Sequence, residues 1–327
     1  MTERRYLGID AGGSNTICLV GDATTILGRG TAESANPSLV GVEGFRAAIA
    51  AAARGALGDL PPAPIDLAWL GVAGSERSGM REQLAAAARD ALGTPHVEIS
   101  HDARLLLAAA ELEHGIGLVA GTGSSAYARA TDGREMSIGG WGYLLGDEGS
   151  GYDIAVRALR AVTAAVDGRG PRTGLEGLLS QRLGVTDAGE LRERCYPAPA
   201  VAEIAGLAQT VLDTAETDVV AAGIVDSAAD ELAELVHACA TRLFSDGSEA
   251  EIPVVLAGGL LGPGTALHRR LLACLERAPF AYRATTPIRE PAAGALALAR
   301  AGPREPPIAQ FERIRDSGNP AIEERNS

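Results

Sequence analysis

Two short glycine-rich turns carry hydroxyl side chains, and each follows an apolar segment typical of a buried strand. The first is Gly12-Gly13-Ser14-Asn15, after residues 6–10, and the second is Gly121-Thr122-Gly123, after residues 115–120. Glycines let the backbone turn tightly and present successive N–H groups, which can bind phosphate oxygens. We therefore interpret each turn as a candidate phosphate-binding hairpin. For the first turn, a plain β-hairpin without a ligand is the alternative.

The second turn also fits the pattern G-x-G-x-x-A of dinucleotide-binding proteins. That pattern must open a helix inside a βαβ unit. Here the residues that follow, 125–131, alternate like a strand and run into Asp132-Gly133, which is a hairpin signal. A second phosphate-binding hairpin is the preferred interpretation, because it repeats the first.

Two aspartates stand at predicted strand ends. Asp10 closes the first strand and could hold a hydrated Mg²⁺, since that ion prefers oxygen ligands. Asp102 follows the short strand 97–100 and precedes a predicted helix. It could cap that helix, or it could act as a general base at the carboxyl edge of the sheet, where open α/β sheets bind ligands.

A third glycine-rich segment, residues 139–151, combines six glycines with Trp141 and the acidic pair Asp147-Glu148. Carboxylates accept hydrogen bonds from sugar hydroxyls, and an aromatic ring can pack on the C–H face of a sugar. The segment is therefore predicted to bind a polyol; a glycine-rich hairpin in which Asp147 caps the next helix is the alternative. A late Gly258-Gly259 turn follows another apolar strand and could let a flat ring lie close to the backbone.

The elements that must position these residues follow an α/β pattern. Predicted strands cover residues 6–10, 15–20, 25–30, 67–72 and 97–100, and predicted helices cover 41–58, 76–92 and 103–113. This order predicts a layered α/β domain with a mainly parallel sheet. The pattern restarts with strands at 115–120 and 125–129, continues with a mostly helical region from 147 to 244, and ends with a strand at 253–257 and helices after Pro263 and at 292–300.

The repeated strand–glycine turn–strand unit predicts an internal duplication. We expect an N-terminal lobe over residues 1–113, joined by a C-terminal helix at about 292–303. A C-terminal lobe with a helical insertion would cover 114–291, and residues 304–327 would form a polar tail at the surface.

Composition excludes several classes of function. The 327 residues contain 42 acidic and 29 basic residues, for a net charge of −13, which argues against binding to nucleic acid or an anionic membrane. Every basic residue apart from histidine is arginine, so a Walker-A loop and a Schiff-base lysine are absent. The four cysteines are far apart, so a zinc ribbon or disulfide framework is not expected. No signal peptide or membrane span is indicated, which predicts a cytoplasmic protein.

In combination, two glycine-rich hairpins, a late Gly-Gly turn and an aspartate between them resemble the sugar kinase, Hsp70 and actin superfamily of ATPases. The segment GGWGYLLGDEGSGY, residues 139–152, is similar to the signature of N-acetylglucosamine kinases in the BadF/BadG/BcrA/BcrD ATPase-like family. The similarity extends over roughly residues 5–300. It implies duplicated ribonuclease-H-like (actin-like ATPase) domains, two lobes around a cleft, and ATP with Mg²⁺ as the phosphoryl source. The implied substrate is a small amino sugar phosphorylated on its 6-hydroxyl, with N-acetyl-D-glucosamine favoured and glucosamine as the alternative. Dimerisation is an expectation that rests on the resemblance alone.

The resemblance also implies roles for residues that match the family's motifs. Asp102 would be the catalytic base, and Asp10 would hold Mg²⁺ through water. The implied ATP-binding residues are Gly12, Gly13, Ser14, Asn15, Thr122, Gly123, Gly258 and Gly259. The implied sugar-binding residues are Asn36, Asp102, Gly140, Trp141, Gly142 and Asp147.

This chain departs from the family pattern at two places. Members often carry lysine in the first hairpin, where this chain has Asn15, and tryptophan where it has Asp153. We hypothesise that Asp153 favours an amino sugar with a free ammonium group. The sequence leaves open N-acetylglucosamine, glucosamine, N-acetylmannosamine and N-acetylmuramic acid as acceptors.

Three other functions agree less well with the sequence. An activating ATPase of 2-hydroxyacyl-CoA dehydratase systems would bind an iron–sulfur cluster through paired cysteines, which this chain lacks. A sugar-sensing or chaperone-like ATPase that transfers no phosphoryl group to a product is disfavoured by the signature of the sugar-binding segment, and a phosphorylated sugar among the products would eliminate it. A repressor-type homologue would need a DNA-binding module or a cysteine-rich zinc site, and neither is found.

Overall fold

A computed structural model describes residues 4–75, 79–196, 201–245, 247 and 249–302. The predicted tail, 304–327, and the first residues of the predicted helix 76–92 lie outside the described residues. Within this part of the chain, two five-stranded sheets form the framework.

The first sheet is built from the strands that precede Asp102. They are β1 (Arg5–Ala11), β2 (Asn15–Gly21), β3 (Ile26–Glu33), β4 (Ile65–Val72) and β5 (Val97–Ser100). Their spatial order is β3-β2-β1-β4-β5. β1 pairs antiparallel with β2 and β2 with β3, whereas β1 pairs parallel with β4 and β4 with β5.

The second sheet repeats this topology strand by strand. It contains β6 (Gly115–Ala120), β7 (Ser124–Arg129), β8 (Glu135–Gly139), β9 (Ile252–Ala257) and β10 (Tyr282–Ala284). The order is β10-β9-β6-β7-β8, with antiparallel β6–β7 and β7–β8 pairs and parallel β6–β9 and β9–β10 pairs. The predicted duplication and α/β class are thus confirmed. The prediction of a mainly parallel sheet is wrong, because the short turns after β1, β2, β6 and β7 allow only antiparallel neighbours.

Helices cover the sheets and fill the second half of the chain. They are α1 (Pro37–Leu57), α2 (Met80–Leu92), α3 (Arg104–Ala109), α4 (Gly151–Val166), α5 (Leu175–Leu183), α6 (Leu191–Cys195), α7 (Val201–Ala205), α8 (Ala208–Thr214), α9 (Val219–Leu243), α10 (Ala266–Glu276) and α11 (Ala292–Ala301). None of the described helices is long and apolar enough to cross a membrane.

Two helices differ from their predicted bounds for local reasons. α1 begins at Pro37, four residues before the predicted start, because Asn36 caps it; its first turn is separated from the rest by Gly41, whose φ is +68°. α3 ends at Ala109, because Glu111 takes the left-handed conformation with φ +58° and the N–H of Leu112 turns back to the carbonyl of Leu107.

Separate apolar cores hold the layers together. One lies between the first sheet and helices α1 and α2 and includes the fully buried Ile9, Phe45 and Ile49. A larger one joins the second sheet to α4, α9 and α10. The last helix, α11, packs on the first sheet through Ala295, which lies in one apolar cluster with Trp69 of β4. The parallel strands β1, β4 and β5 therefore end at one supported edge of the first sheet, and this edge carries the candidate site.

Candidate functional site

Asp10 and Asp102 meet at the carboxyl edge of the first sheet. Asp10 of β1 pairs with Gly71 of β4, and Gly71 pairs with Ser100 of β5. Asp102 follows Ser100 by two residues, so it lies at the same edge of the sheet as Asp10. A Cβ placed on Gly71 would lie 3.0 Å from the Cα of Asp102. The register thus brings together two carboxylates that are far apart in sequence.

Burial, and after it the charge of Asp102, together raise the pKa of Asp10 from its ordinary value of 3.8 to about 7. A carboxylate in this state gains from any cation placed beside it, because a cation favours the ionised form. Oxygen donors of this kind suit Mg²⁺, which commonly uses one or two carboxylates together with water and phosphate oxygens. No group of three or more His, Cys, Asp or Glu side chains that could hold a metal ion occurs among the described residues.

Asp102 does not cap helix α3. The residue at the cap position is Ala103, and no side chain caps the helix there. Instead, Oδ1 of Asp102 accepts the N–H of Ala103 at 2.8 Å and lies 2.9 Å from Nδ1 of His101. The capping alternative is therefore wrong, and the carboxylate stands at the sheet edge where a general base is predicted.

The two glycine-rich hairpins face each other. Each turn is closed by a backbone hydrogen bond, from Gly12 to Asn15 at 3.1 Å and from Gly121 to Gly123 at 2.9 Å. The hydroxyls of Ser14 and Thr122, at the two tips, are 3.3 Å apart. The fold thus brings both predicted phosphate-binding turns to one place.

The late glycine turn lies directly behind the second hairpin. Gly258 has φ +101°, and a Cβ there would lie 2.1 Å from the carbonyl oxygen of Ala120, the last residue of β6. Only glycine permits this approach. Gly259 has open space where a side chain would be, and a cavity of about 300 Å³ lies further along the chain between Thr265 and Asp213.

Asn36 joins the edge of the first sheet through its neighbours. Its Oδ1 accepts the N–H of Ser38 at 2.9 Å, and a Cβ on Gly74, just after β4, would lie 2.9 Å from the same oxygen. Its backbone N–H donates to Ser34 Oγ at 3.2 Å, which donates in turn to the carbonyl of Gly12 at 3.4 Å. Asn36 is therefore both a helix cap and a neighbour of the first hairpin.

The glycine-rich segment 139–151 forms an irregular loop fastened to the second hairpin at both ends. The N–H of Gly140 donates to the carbonyl of Ser124 at 3.0 Å, and the hydroxyl of Ser124 donates to the carbonyl of Glu148 at 2.7 Å. Between these ends, Gly142 accepts the N–H groups of Leu145 and Gly146, which makes a tight turn. Ser124 is not among the residues that the sequence predicted for the site; its hydroxyl directly after the second turn is the signal that could have identified it.

Trp141 and Asp147, the two side chains of this loop predicted to bind a sugar, differ in exposure and surroundings. Trp141 is 59 % exposed, so its ring is accessible to a ligand. Asp147 points back at the second hairpin, since a Cβ on Gly123 would lie 2.7 Å from its Oδ2. Burial raises the pKa of Asp147, while backbone hydrogen bonds from Ser124 and Gly142 act in the opposite direction. The helix that follows is capped by Ser150, so the alternative in which Asp147 caps it is wrong.

Asp153 links the start of α4 to its own helix and, through Arg157, to α9. Its Oδ2 accepts the N–H of Gly149 at 3.0 Å, and its Oδ1 accepts Nε of Arg157 at 2.9 Å. Arg157 continues to Glu231 of α9 at 2.6 Å. Both carboxylate oxygens of Asp153 are thus engaged by donors of the chain itself, and the hypothesis that Asp153 selects an ammonium-bearing sugar stays a prediction. The i, i+4 spacing of Asp153 and Arg157 on α4 is the signal that indicates this pairing.

Comparison with known proteins identifies a family that the chain matches over most of its length. The family model described as the BadF/BadG/BcrA/BcrD ATPase family matches residues 7–299. A relative named N-acetylmuramic acid/N-acetylglucosamine kinase, from Clostridium acetobutylicum, is 32 % identical over 195 residues, which is 59 % of this chain and 63 % of that protein. This chain therefore spans less than two thirds of that relative. An N-acetyl-D-glucosamine kinase from Dictyostelium discoideum is 28 % identical over 79 % of this chain and 86 % of its own length.

Solved structures agree on the fold. A crystal structure of a provisionally named N-acetylglucosamine kinase from Chromobacterium violaceum has a TM-score of 0.70 and 26 % identity, covering 90 % of this chain and 98 % of that one. A second one, from Porphyromonas gingivalis, has a TM-score of 0.68 at 20 % identity, covers 90 % and 96 % of the two chains, and supports the fold alone. The expected actin-like ATPase fold is confirmed.

Proposed function

The chain belongs to the BadF/BadG/BcrA/BcrD ATPase family, and we propose that it is an ATP-dependent kinase that phosphorylates the 6-hydroxyl of an amino sugar. N-acetyl-D-glucosamine is the acceptor we favour, because both curated relatives carry N-acetylglucosamine in their names. The observation that carries the proposal is the approach of the two hairpin tips, Ser14 and Thr122, in a fold that also holds Asp10 and Asp102 at one sheet edge.

Phosphoryl transfer needs little covalent chemistry from the protein; it needs positioning and charge stabilisation. The backbone N–H groups of residues 12–14 and 121–123 would bind the phosphates of ATP. Gly258 and Gly259 would leave room for the adenosine beside the second hairpin. Mg²⁺, when bound, would neutralise charge on the phosphates, and Asp10 fits it as an oxygen donor whose raised pKa a cation would relieve.

Asp102 would orient the acceptor hydroxyl and take its proton. Asn36, at the same sheet edge, and the exposed ring of Trp141, on the opposite lobe, would contact the sugar together with Gly140, Gly142 and Asp147. Dimerisation stays a prediction, as does the division of the chain into the domains expected from its sequence.

Two alternatives differ in their expected products. Glucosamine remains a candidate acceptor, and Asp153, whose carboxylate is engaged by Gly149 and Arg157, is the residue whose replacement tests it. An activating ATPase would need cysteines that share a cluster; Cys18 and Cys239 are buried, and all four cysteines are unpaired.

The first experiment is an ATP-consumption assay with Mg²⁺ and a panel of hexoses and amino sugars, with the product identified by mass and by the position of its phosphate. We expect turnover on N-acetylglucosamine and a 6-phosphate product. Turnover on glucosamine alone would keep the kinase and change its acceptor, and ATP hydrolysis without any phosphorylated sugar would contradict the proposal.

Asp102→Asn then tests the mechanism. We expect turnover to fall by about 10²–10⁴, the usual contribution of a general base, while ATP binding is kept. Asp66→Asn is the matched control, because Asp66 lies near the start of β4, at the end of the parallel strands that is far from Asp102. Unchanged turnover in Asp102→Asn would remove this residue from the mechanism.

A further inference from the structure

Helix α3, which begins two residues after the proposed base Asp102, lies between the two sheets. On one side, Leu105 shares an apolar cluster with Trp69 of the first sheet and with residues of α11. On the other side, Leu106 shares a cluster with Tyr127 of the second sheet. The helix that follows the proposed base is therefore in contact with both halves of the duplicated fold.

Arg104, the first residue of this helix, contacts a side chain of each sheet. Its guanidinium carbon lies 5.0 Å from the ring centroid of Trp69 on β4, which is a cation–π contact. Its Nη1 lies 3.8 Å from Oε1 of Glu135 on β8. One charged side chain thus links the first sheet to the second, close to the proposed base.

Glu135 is a buried carboxylate close to two guanidinium groups. Its side chain is only 4 % exposed, and Nε of Arg129 lies 3.5 Å from the same Oε1 that faces Arg104. No hydrogen bond reaches Oε1 from the described residues. Because a buried charge is costly unless opposite charges lie beside it, the two arginines together stabilise this carboxylate. They differ in origin, since Arg129 is the cross-strand neighbour of Glu135 within the second sheet, whereas Arg104 belongs to α3.

The short segment between β5 and Arg104, which includes the proposed base, is held from both sheets. Trp69 Nε1 donates to Ser100 Oγ at 3.0 Å, and Ser100 Oγ donates to the carbonyl of His101 at 3.2 Å. The fully buried ring of Tyr127 stacks on His101 with centroids 5.7 Å apart. Trp69 therefore supports both ends of the segment, through a hydrogen bond at Ser100 and through the cation–π contact at Arg104.

We propose that Arg104 is a positioning residue, which holds Asp102 in a fixed place relative to the second sheet by linking Trp69 to Glu135. This inference rests on the proposed function, in which the second sheet carries one of the phosphate-binding hairpins while Asp102 follows a strand of the first sheet. Transfer requires the acceptor hydroxyl and the phosphate to be aligned, so a link between the sheets beside the base sets that alignment. Misplacing a reacting group by about 1 Å can cost about 10²-fold in rate.

Two matched substitutions test this link. Arg104→Gln and Arg129→Gln each remove one guanidinium group from Glu135 and leave the other, so neither leaves the buried carboxylate without a cation. Only Arg104→Gln breaks the contact between the sheets. We expect it to lower kcat for sugar phosphorylation about 10–100-fold with the Kd for ATP unchanged. Arg129→Gln should turn over like the unmodified protein. An equal fall of kcat in both variants, or no fall in Arg104→Gln, would overturn the proposal.

Two further variants show whether Arg104 acts through Asp102. Arg104→Lys keeps a cation that can reach the Trp69 ring and should recover most of the lost kcat. In the Asp102→Asn background, adding Arg104→Gln should cause no further loss of turnover, because the base that Arg104 positions is already gone. An equal loss in both backgrounds would overturn the proposal.

Amide hydrogen exchange tests the link without an activity assay. The N–H of Leu105 donates to the carbonyl of Asp102 at 3.0 Å, so its protection reports how firmly the backbone of Asp102 is held. This protection should fall in Arg104→Gln and stay unchanged in Arg129→Gln. Unchanged protection in Arg104→Gln would overturn the proposal. If the unmodified protein phosphorylates no sugar, the proposed function fails, and this measurement still decides whether Arg104 holds the residues around Asp102.

Discussion

Ionised Asp10 is expected to lower the stability of the folded protein while serving as a ligand for Mg²⁺, and the loss of stability can be measured. Burial and the neighbouring Asp102 raise its pKa from 3.8 to about 7, so near neutral pH the folded protein holds a carboxylate that is costly to ionise. A rise of this size corresponds to about 4 kcal/mol. Because Asp10 keeps some contact with solvent, we take about 2–4 kcal/mol as the cost at high pH.

The sign follows from proton linkage. Between the two pKa values, the folded state holds a proton that the unfolded state has already released. Stability therefore falls as pH rises through this range and levels off above pH 7. Asp10→Asn cannot ionise, so it lacks this loss and should be more stable than the unmodified protein at pH 8.5.

The assay is urea unfolding in EDTA from pH 5.5 to 8.5, which stays above the isoelectric point near 4.9. About half of the cost of ionising Asp10 falls inside this window. The difference in unfolding free energy between Asp10→Asn and the unmodified protein should therefore grow by about 1–2 kcal/mol from pH 5.5 to 8.5. The variant should also lose Mg²⁺-dependent turnover.

Asp22→Asn is the control, because the pKa of Asp22 is shifted in the opposite direction to that of Asp10. Backbone hydrogen bonds from Thr24 and Thr25 lower the pKa of Asp22, so its contribution is fully present throughout this pH window. The free-energy difference for that variant should stay constant with pH. Parallel curves for Asp10→Asn and the unmodified protein would refute the reasoning, because they would mean that Asp10 ionises in the folded protein as easily as in the unfolded chain.

Two further predictions concern the second hairpin and its supporting loop. Gly123→Ala should lower the unfolding free energy by about 1–3 kcal/mol, because its Cβ would lie 2.7 Å from the carboxylate of Asp147. Gly121→Ala is the control, because its Cβ would meet open space. In thermal denaturation this control should melt like the unmodified protein. Asp153→Ala removes the acceptor of the Gly149 N–H and of Arg157, so it should lower the unfolding free energy by about 1–3 kcal/mol. The ratio of the kcat/KM values for N-acetylglucosamine and glucosamine should stay the same. A changed ratio in a stable Asp153→Ala protein would support the selectivity hypothesis.

Local patterns predicted the hairpins well, because each one is a continuous stretch of strand, glycine turn and strand. Residues 115–120 and 97–100 coincide with β6 and β5. The arrangement of strands was harder to predict, since the antiparallel share of each sheet depends on which strands become neighbours. Helix ends were limited by single-residue conformations, such as the left-handed Glu111 that stops α3 early.

Within the candidate site, residue types were easier to predict than contacts. Asp10 and Asp102 each stand at a strand end, which the sequence indicates, but their mutual effect depends on the register of β1, β4 and β5. The approach of Ser14 to Thr122 requires both sheets to be in place. The engagement of Asp153 could be predicted only in part, because its i, i+4 spacing indicates Arg157 but nothing in the sequence indicates the N–H of Gly149 as the second donor.

The segment proposed to bind sugar and the hairpin proposed to bind phosphate share their supports. Ser124 holds both ends of the loop, through its carbonyl to Gly140 and through its hydroxyl to the carbonyl of Glu148. Asp147 lies against Gly123 of the hairpin, and the N–H of Gly151 donates to the carbonyl of Gly121 at 2.8 Å.

A displacement of this loop therefore moves the acceptors and donors of the second hairpin as well. In a sugar kinase, a bound sugar would order the loop and, through it, the hairpin that binds the phosphates. Without a bound sugar, this hairpin would be less ordered. Wasteful hydrolysis of ATP would then be limited by the same hydrogen bonds that support the loop. Weakening them at Ser124, while leaving Asp102 in place, should raise the ratio of ATP hydrolysed to sugar phosphorylated.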